Sequence, residues 1–165
     1  MGRSYKKKDN TTEEVIQLAD ETRKEEQQQK NITPEEEIFR QRKDKLMRLR
    51  QEEGYDPFQQ DHWEVKHTLS YIKEKYSFLK DEEWSEDEIR TAGRVMILRR
   101  HGKTAFATFE DEHDRLQLCF QFDLLGETDY TFFKKWVDAG DFLGIIGVPF
   151  RTQRGELTIA VKKFC

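Results

Sequence analysis

The strongest constraint on the fold is a change in hydrophobic period close to residue 90. From there to the C-terminus, apolar and polar residues alternate in short runs, as in β-strands with one buried face. Gly102 and Gly155 lie between such runs, where hairpins need turns. The pattern predicts strands over residues 89–99, 104–109, 115–121, 142–151 and 157–164. A short amphipathic helix with Tyr130, Phe133, Trp136 and Val137 on one side follows the third strand.

The order of these elements indicates the fold class. Three strands, a helix and two further strands is the order of the OB-fold, a five-stranded Greek-key barrel. We therefore predict a mostly β protein with flanking helices, in which a β-β-β-α-β-β OB-fold barrel follows N-terminal helices. The barrel domain is expected over residues 65–165.

The segment before the barrel divides into two parts. Residues 1–33 are poor in apolar side chains and predict a weakly helical or disordered tail. Residues 34–64 predict a basic amphipathic helix and a linker, with Thr33 as the N-cap and Gly54 at the end. The chain then forms a turn at 56–58 and a short helix over 69–79. Its inward residues are expected to be Tyr71, Ile72, Tyr76 and Leu79.

Composition excludes several classes of protein. Charged residues make up 38% of the chain and hydrophobic residues only 35%, so part of it has little to bury. The apolar runs are all shorter than the ~18–20 residues that span a bilayer, so no membrane association is expected. The 2 cysteines form no CxxC motif and the 4 histidines have no metal-ligand spacing. We expect a cytoplasmic protein with no metal site and no catalytic residues.

Alternation also assigns the faces of the strands. In the second strand Phe106 shares the outward face with Thr104 and Thr108. The outward residues of the third strand are expected to be Arg115, Gln117, Cys119 and Gln121. In the last strand Glu156 and Thr158 are expected outside. Arg99 and Arg100 end the first strand nearby.

This outer face has the chemistry of a base-binding surface. An exposed ring can stack on an unpaired base for ~1–3 kcal/mol without selecting its identity. A carboxylate can accept the N3–H of uracil, while Arg or Gln donates to its carbonyl oxygens. Cytosine turns a lone pair toward the same carboxylate and loses that bond. The alternative is that Phe106 is an ordinary surface or interface residue and Gln117 a solvated one.

Several motifs occur in order along the chain, at 45–54, 56–58, 67–69, 92–96, 99–106, Arg115-Leu116-Gln117-Leu118, 133–136, 140–144 and Thr152-Gln153-Arg154-Gly155-Glu156-Leu157. Taken together, they resemble the anticodon-binding domain of bacterial-type class II lysyl-tRNA synthetases over roughly residues 40–165. The turn at 112–114 departs from the family, which usually has glycine there, and residues 1–33 have no counterpart.

The resemblance implies a set of site residues. In that family this face reads the central anticodon uracil, which assigns stacking to Phe106 and hydrogen bonding to Gln117 and Glu156. The arginine is most plausibly Arg99, with Arg100 as the alternative. Candidate phosphate contacts, proposed from charge and position, are Arg100, His101, Lys103, Arg151, Arg154, Arg42 and Lys45.

The resemblance implies a recognition module rather than a whole enzyme. The Phe-Arg-x-Glu and Gly-x-Gly-x-Gly-x-x-Arg signatures that hold ATP in the family are absent from this sequence. We expect no catalysis and no cofactor in this chain, with ATP and Mg²⁺ acting only in a full-length parent lysine–tRNA ligase. The expected partner is the tRNA(Lys) anticodon stem-loop, and the family implies a homodimer in the full-length context. The alternatives are a protein-interaction or dimerisation module and a general single-strand-binding OB protein. The net charge of -4 argues against the second alternative, because grooves that bind single strands are usually strongly basic.

Overall fold

The computed structural model describes residues 33–59 and 62–165. They divide into two compact units along the chain, one that ends at Glu53 and one that begins at Gly54. The predicted tail lies outside the described residues except for Thr33. Within the described ranges, none of the helices is both long and apolar enough to cross a membrane.

The first unit contains helix α1, Pro34–Glu52. The Oγ1 atom of Thr33 accepts a hydrogen bond from the backbone N–H of Glu36 at 3.3 Å, and the Glu36 carboxylate accepts one from the Thr33 N–H at 2.8 Å. This reciprocal capping box satisfies two N–H groups at the start of the helix. Gly54 follows the helix with φ +63°, as a C-terminal stop requires. The predicted start and stop of this helix are confirmed.

The second unit opens with two short helical segments. A 3₁₀ turn, Pro57–Gln59, forms at the predicted turn, and helix α2 is Leu69–Lys75. The helix is shorter than predicted, although Leu79 beyond it is buried. The inward placement of Tyr71 was wrong, because this ring is 46% exposed and stacks on His67 instead. Residues 69, 72 and 76 share the inward face at helical spacing, and position 71 lies off it.

The barrel matches the predicted order of elements. Its members are β1 Ile89–His101, β2 Thr104–Glu110, β3 Arg115–Gln121, α3 Phe122–Trp136, β4 Phe142–Arg151 and β5 Leu157–Phe164. The strands close in the order β1-β2-β3-β5-β4, in which β3 and β5 are parallel and the other pairs are antiparallel. The predicted five-stranded OB-fold barrel is confirmed.

Helix α3 closes one side of the barrel core. Its Phe133 stacks on Phe120 of β3 with ring centroids 3.9 Å apart, and Phe164 of β5 meets both rings edge-on. The inward residues of β2 and β3 that complete this core are Ala105, Ala107, Phe109, Leu116 and Leu118. Because this face of the strands is filled, the opposite face of β2, β3 and β5 is left to form a surface.

Candidate nucleic-acid interface

Two neighbouring rows of side chains cross the outer surface of β2, β3 and β5. Strand pairing aligns Thr108 with Gln117 and Gln117 with Thr158, and we call these three residues the polar row. The same pairing aligns Phe106 with Cys119 and Cys119 with Ala160, which form the apolar row. Strand β1 extends the apolar row, because Arg99 pairs with Phe106. The register thus brings the predicted arginine, phenylalanine and glutamine together.

A hydrogen bond connects two members of the polar row, Gln117 and Thr158. The Nε2 of Gln117 donates to Oγ1 of Thr158 at 2.9 Å, and that hydroxyl donates to the backbone carbonyl of Glu156 at 3.1 Å. At the other end, the Arg99 guanidinium donates to Oε1 of Gln117 at 3.4 Å. The predicted residues Arg99, Gln117 and Glu156 therefore belong to one hydrogen-bonded chain.

These three residues also line a groove of about 610 Å³. The Glu156 carboxylate is exposed there, and within the described residues it accepts no hydrogen bond from another side chain. The groove therefore offers N–H donors from Arg99 and Gln117 beside a carboxylate acceptor. The remaining lining residues are Lys73, Ser77, Ile97, Thr108, Arg115, Leu116, Arg151, Gly155 and Leu157.

The groove has a cationic lining. Four of its lining residues, Lys73, Arg99, Arg115 and Arg151, are basic and one, Glu156, is acidic. Lys73 is paired with Asp114 at 2.7 Å and Arg115 with Glu110 at 2.9 Å, so acids outside the groove offset part of this charge. Alternation placed Arg115 outside, but the sequence carried no signal for Lys73, because only the docking of α2 brings it to this groove.

Both rows are more covered than the sequence predicted. Cys119 and Thr158 were expected outside, but they are 1% and 0% exposed. Phe106 packs, partly buried, on a small cluster formed by Cys119, Ala160 and Phe150. Alternation gave the correct face of the strands, and it could not show that other side chains cover that face. Burial raises the pKa of the Cys119 thiol to about 11, although a hydrogen bond with Gln121 opposes the shift.

Trp84 adds to the side chains that cover the outer face of the strands. This residue, between α2 and β1, forms a β-bridge with Phe150. The two rings stack in parallel with centroids 4.3 Å apart. Because Trp84 stacks on Phe150, a pair of aromatic rings borders the cluster beneath Phe106 on the β4 side.

The two candidate arginines point in different directions. Arg99 reaches the groove, whereas Arg100 donates to the carbonyl of Val137 and lies 3.9 Å from the Asp138 carboxylate. Adjacent residues of a strand face opposite sides, so both cannot reach the same surface. The structure thus favours Arg99 as the groove arginine.

Arg151 supports the hairpin that presents Glu156. Its guanidinium donates to the backbone carbonyls of Leu79 at 2.6 Å, Gly155 at 2.7 Å and Ser77 at 3.1 Å. These bonds tie the β4–β5 hairpin to the segment after α2. A phosphate contact by Arg151 would have to compete with these carbonyls.

The other candidate phosphate contacts are spread over three places. His101 and Lys103 are exposed in the β1–β2 hairpin, and Arg154 is exposed in the β4–β5 hairpin. Arg42 and Lys45 lie on α1 in the first unit. Their contact with phosphate stays a prediction.

The β2–β3 turn, where the sequence departs from the family, is organised by Asp111. Its carboxylate accepts 2.8 Å hydrogen bonds from the backbone N–H groups of His113, Asp114 and, at the start of α2, Leu69. Burial alone would raise the pKa of Asp111, but these N–H groups outweigh it and hold the pKa below 3.8. In the described ranges, no group of three or more His, Cys, Asp or Glu side chains could hold a metal ion.

Comparison with known proteins places the barrel in a family. Residues 89–164 match the tRNA anticodon model, described as an OB-fold nucleic acid binding domain. A lysine–tRNA ligase of Methanoculleus marisnigri is 42% identical over 121 residues, which cover 73% of this chain and 23% of that protein. The lysine–tRNA ligase of Thermotoga maritima is 40% identical over 67% of this chain and 22% of its own length. That of Moorella thermoacetica is 36% identical over 78% and 25%, respectively.

The chain thus spans about a quarter of the length of the curated relatives it matches. The strand order, the closed barrel and the family match agree on the same residues. Residues 89–164 belong to the tRNA anticodon family of OB-fold nucleic acid binding domains, in the form that lysine–tRNA ligases contain.

Proposed function

We propose that this chain recognises the anticodon stem-loop of tRNA(Lys) and reads an unpaired uracil on the outer surface of β2, β3 and β5. The observation that supports this best is the groove shared by Arg99, Gln117 and Glu156, with Phe106 beside Arg99 in the register. The family match and the lysine–tRNA ligase relatives support the same RNA partner.

The groove complements the hydrogen-bonding edge of uracil. That edge presents an acceptor, a donor and an acceptor, in order O4, N3–H and O2. The Glu156 carboxylate accepts from N3–H, while Arg99 and Gln117 donate to the carbonyl oxygens. Cytosine has an unprotonated N3 and leaves the carboxylate without a donor at that position.

Phe106 contributes to affinity for the RNA rather than to the selection of uracil. Its ring packs on the Cys119, Ala160 and Phe150 cluster on one side, so it is held in place before RNA binds. A base stacked on a prepositioned ring costs little side-chain entropy, and every base has a π-face to offer. Stacking and hydrogen bonding therefore act on the same base from two directions.

The proposal also covers the reaction to which this module contributes and the compartment in which it acts. Reading an anticodon is a step in attaching lysine to tRNA, and in this proposal the chain supplies recognition without binding ATP or Mg²⁺. It places the chain in the cytoplasm. Homodimerisation of a full-length parent stays a prediction, which sedimentation of that parent would test.

The decisive experiment compares two RNA stem-loops that differ only in the central loop base, U or C. Fluorescence anisotropy of the labelled RNAs should show tighter binding to the U loop by about tenfold, the value of one charged hydrogen bond. Glu156→Gln should reduce this preference, since its amide N–H can donate to N3 of cytosine. Glu127→Gln, an exposed position on α3, is the matched control and should leave the preference intact. Equal binding of both loops by the unmodified protein would overturn uracil reading.

A further inference from the structure

Thr158 occupies an unusual position for a polar side chain. It lies on the outer side of β5, in the row that borders the groove, yet its exposed fraction is 0%. A ligand in the groove therefore has no access to it. Its hydroxyl must act through the residues that it contacts, which are Gln117 and Glu156.

The hydroxyl has only one proton, and that proton is already used. Oγ1 of Thr158 donates it to the backbone carbonyl of Glu156 at 3.1 Å. What remains on Oγ1 is lone pairs, which can only accept. The end of the Gln117 amide that meets Oγ1 at 2.9 Å must therefore be the NH₂ group.

Arg99 imposes the same orientation from the opposite end. A guanidinium has donors and no acceptor, so the Gln117 atom that faces it at 3.4 Å must be Oε1. A reversed amide would place two donors together at Arg99, and at Thr158 its oxygen would compete with the Glu156 carbonyl for the single hydroxyl proton. The mismatch is costly mainly at the Thr158 end, because Thr158 is fully buried and an unpaired group there has no access to water. The amide is thus held with one remaining Nε2–H available to the groove.

We infer that Thr158 is a specificity-determining positioning residue that selects uracil over cytosine by fixing the orientation of the Gln117 amide. This inference rests on the proposed function. With the amide held, Gln117 shows the groove a donor, which suits a carbonyl oxygen of uracil. Without the Thr158 hydroxyl, only the exposed 3.4 Å contact with Arg99 holds the amide. When the amide turns, its oxygen can accept from the 4-amino group of cytosine, and the discrimination falls.

The test measures the ratio of affinities for the U and C stem-loops in Thr158 variants of the full chain. Thr158→Val has nearly the same shape but no hydroxyl, and should lower the U-to-C ratio about five- to tenfold, the effect of one hydrogen bond. Most of this change should come from tighter C binding. Thr158→Ser retains the hydroxyl and should restore the ratio of the unmodified protein.

A second set of variants separates positioning from general damage to the barrel. If Thr158 acts through Gln117, then Thr158→Val should cause no further loss of discrimination in a Gln117→Leu background. Thermal unfolding by circular dichroism establishes that each variant is folded, and Thr158→Ala replaces Thr158→Val if the latter is not.

Three outcomes would overturn the inference while leaving uracil reading intact. They are an unchanged ratio in folded Thr158→Val, an equal loss in Thr158→Ser, and additive losses in the double variant. A failure of the unmodified protein to prefer the U loop would overturn the proposed function and this inference together.

Discussion

The polar row and the apolar row lie side by side on the same three strands, but their side chains interact in different ways. The apolar row packs Phe106 on Cys119 and Ala160, so its contacts are non-directional. In the polar row, Gln117 and Thr158 are joined by a directional hydrogen bond. In the proposed function, this difference assigns binding strength to the apolar row and base choice to the polar row.

The largest expected effect is on the apolar row. Phe106→Ala should weaken binding of the U and C stem-loops alike by about 1–3 kcal/mol, because stacking on a ring does not depend on base identity. The ratio of the two affinities should stay close to that of the unmodified protein. Titration of both labelled RNAs measures it, and Phe142→Ala, an exposed phenylalanine on β4, is the control.

Two further results bear on the role of Phe106. If the ratio of the U-loop and C-loop affinities changed as much as the affinities themselves, the apolar row would also determine base choice. Loss of the ring should also uncover the Cys119 thiol, which is buried and has a raised pKa. Its labelling by a thiol reagent, measured in a Cys165→Ser background, should be faster in Phe106→Ala.

A smaller effect is expected from the two neighbouring arginines of β1. Arg99→Gln removes a charged donor from the groove and should weaken U-loop binding by about 1 kcal/mol, the scale of one net hydrogen bond. Arg100→Gln loses its bond to the Val137 carbonyl and should lower the unfolding temperature instead. Binding and thermal melts of the pair provide the comparison. The assignment of Arg99 fails if Arg100→Gln has the greater effect on binding.

The smallest effect on binding is expected from Asp111, which lies outside both rows. Its pKa in the folded state is lowered from 3.8, so the unfolded chain takes up a proton first as the pH falls. The stability that Asp111 contributes is therefore complete above the ordinary pKa of 3.8 and lost as the pH falls through the lowered folded-state value. Asp111→Asn should reduce this loss of stability at acid pH, with RNA affinity at neutral pH little changed.

Urea unfolding at neutral and acid pH measures this dependence. Asp129→Asn, at an exposed position on α3, is the matched control and should retain the acid sensitivity of the unmodified protein. An unchanged pH dependence in Asp111→Asn would show that the turn owes its stability to other contacts.

Much of the fold followed from local pattern. The bounds of β3, β4 and β5 agree with the alternation of apolar and polar residues, and the Thr33 cap of α1 was readable because its partner is only three residues away. Errors arose where burial depends on distant residues. Tyr71 was placed inside and is exposed, while Cys119 and Thr158 were placed outside and are buried.

The candidate site shows the same division. Period-two alternation put Phe106, Gln117 and Glu156 on one face, because successive side chains of a strand point to opposite sides. It could not choose between Arg99 and Arg100, because the choice depends on a carbonyl at Val137 and on the register with β2. Nor could it bring Lys73 to the groove or Arg151 to the hairpin that presents Glu156.

The local sequence pattern was sufficient to predict the element types, the barrel class and the face on which the site lies, since each depends on residues a few positions apart. The burial of each side chain and the direction of each hydrogen bond were decided only by the tertiary structure. Gln117 and Thr158 are 41 residues apart along the chain, and they meet only because β3 and β5 pair in parallel when the barrel closes. A hydrogen bond needs its two atoms within a few tenths of an ångström, and only the closed sheet sets positions to that precision.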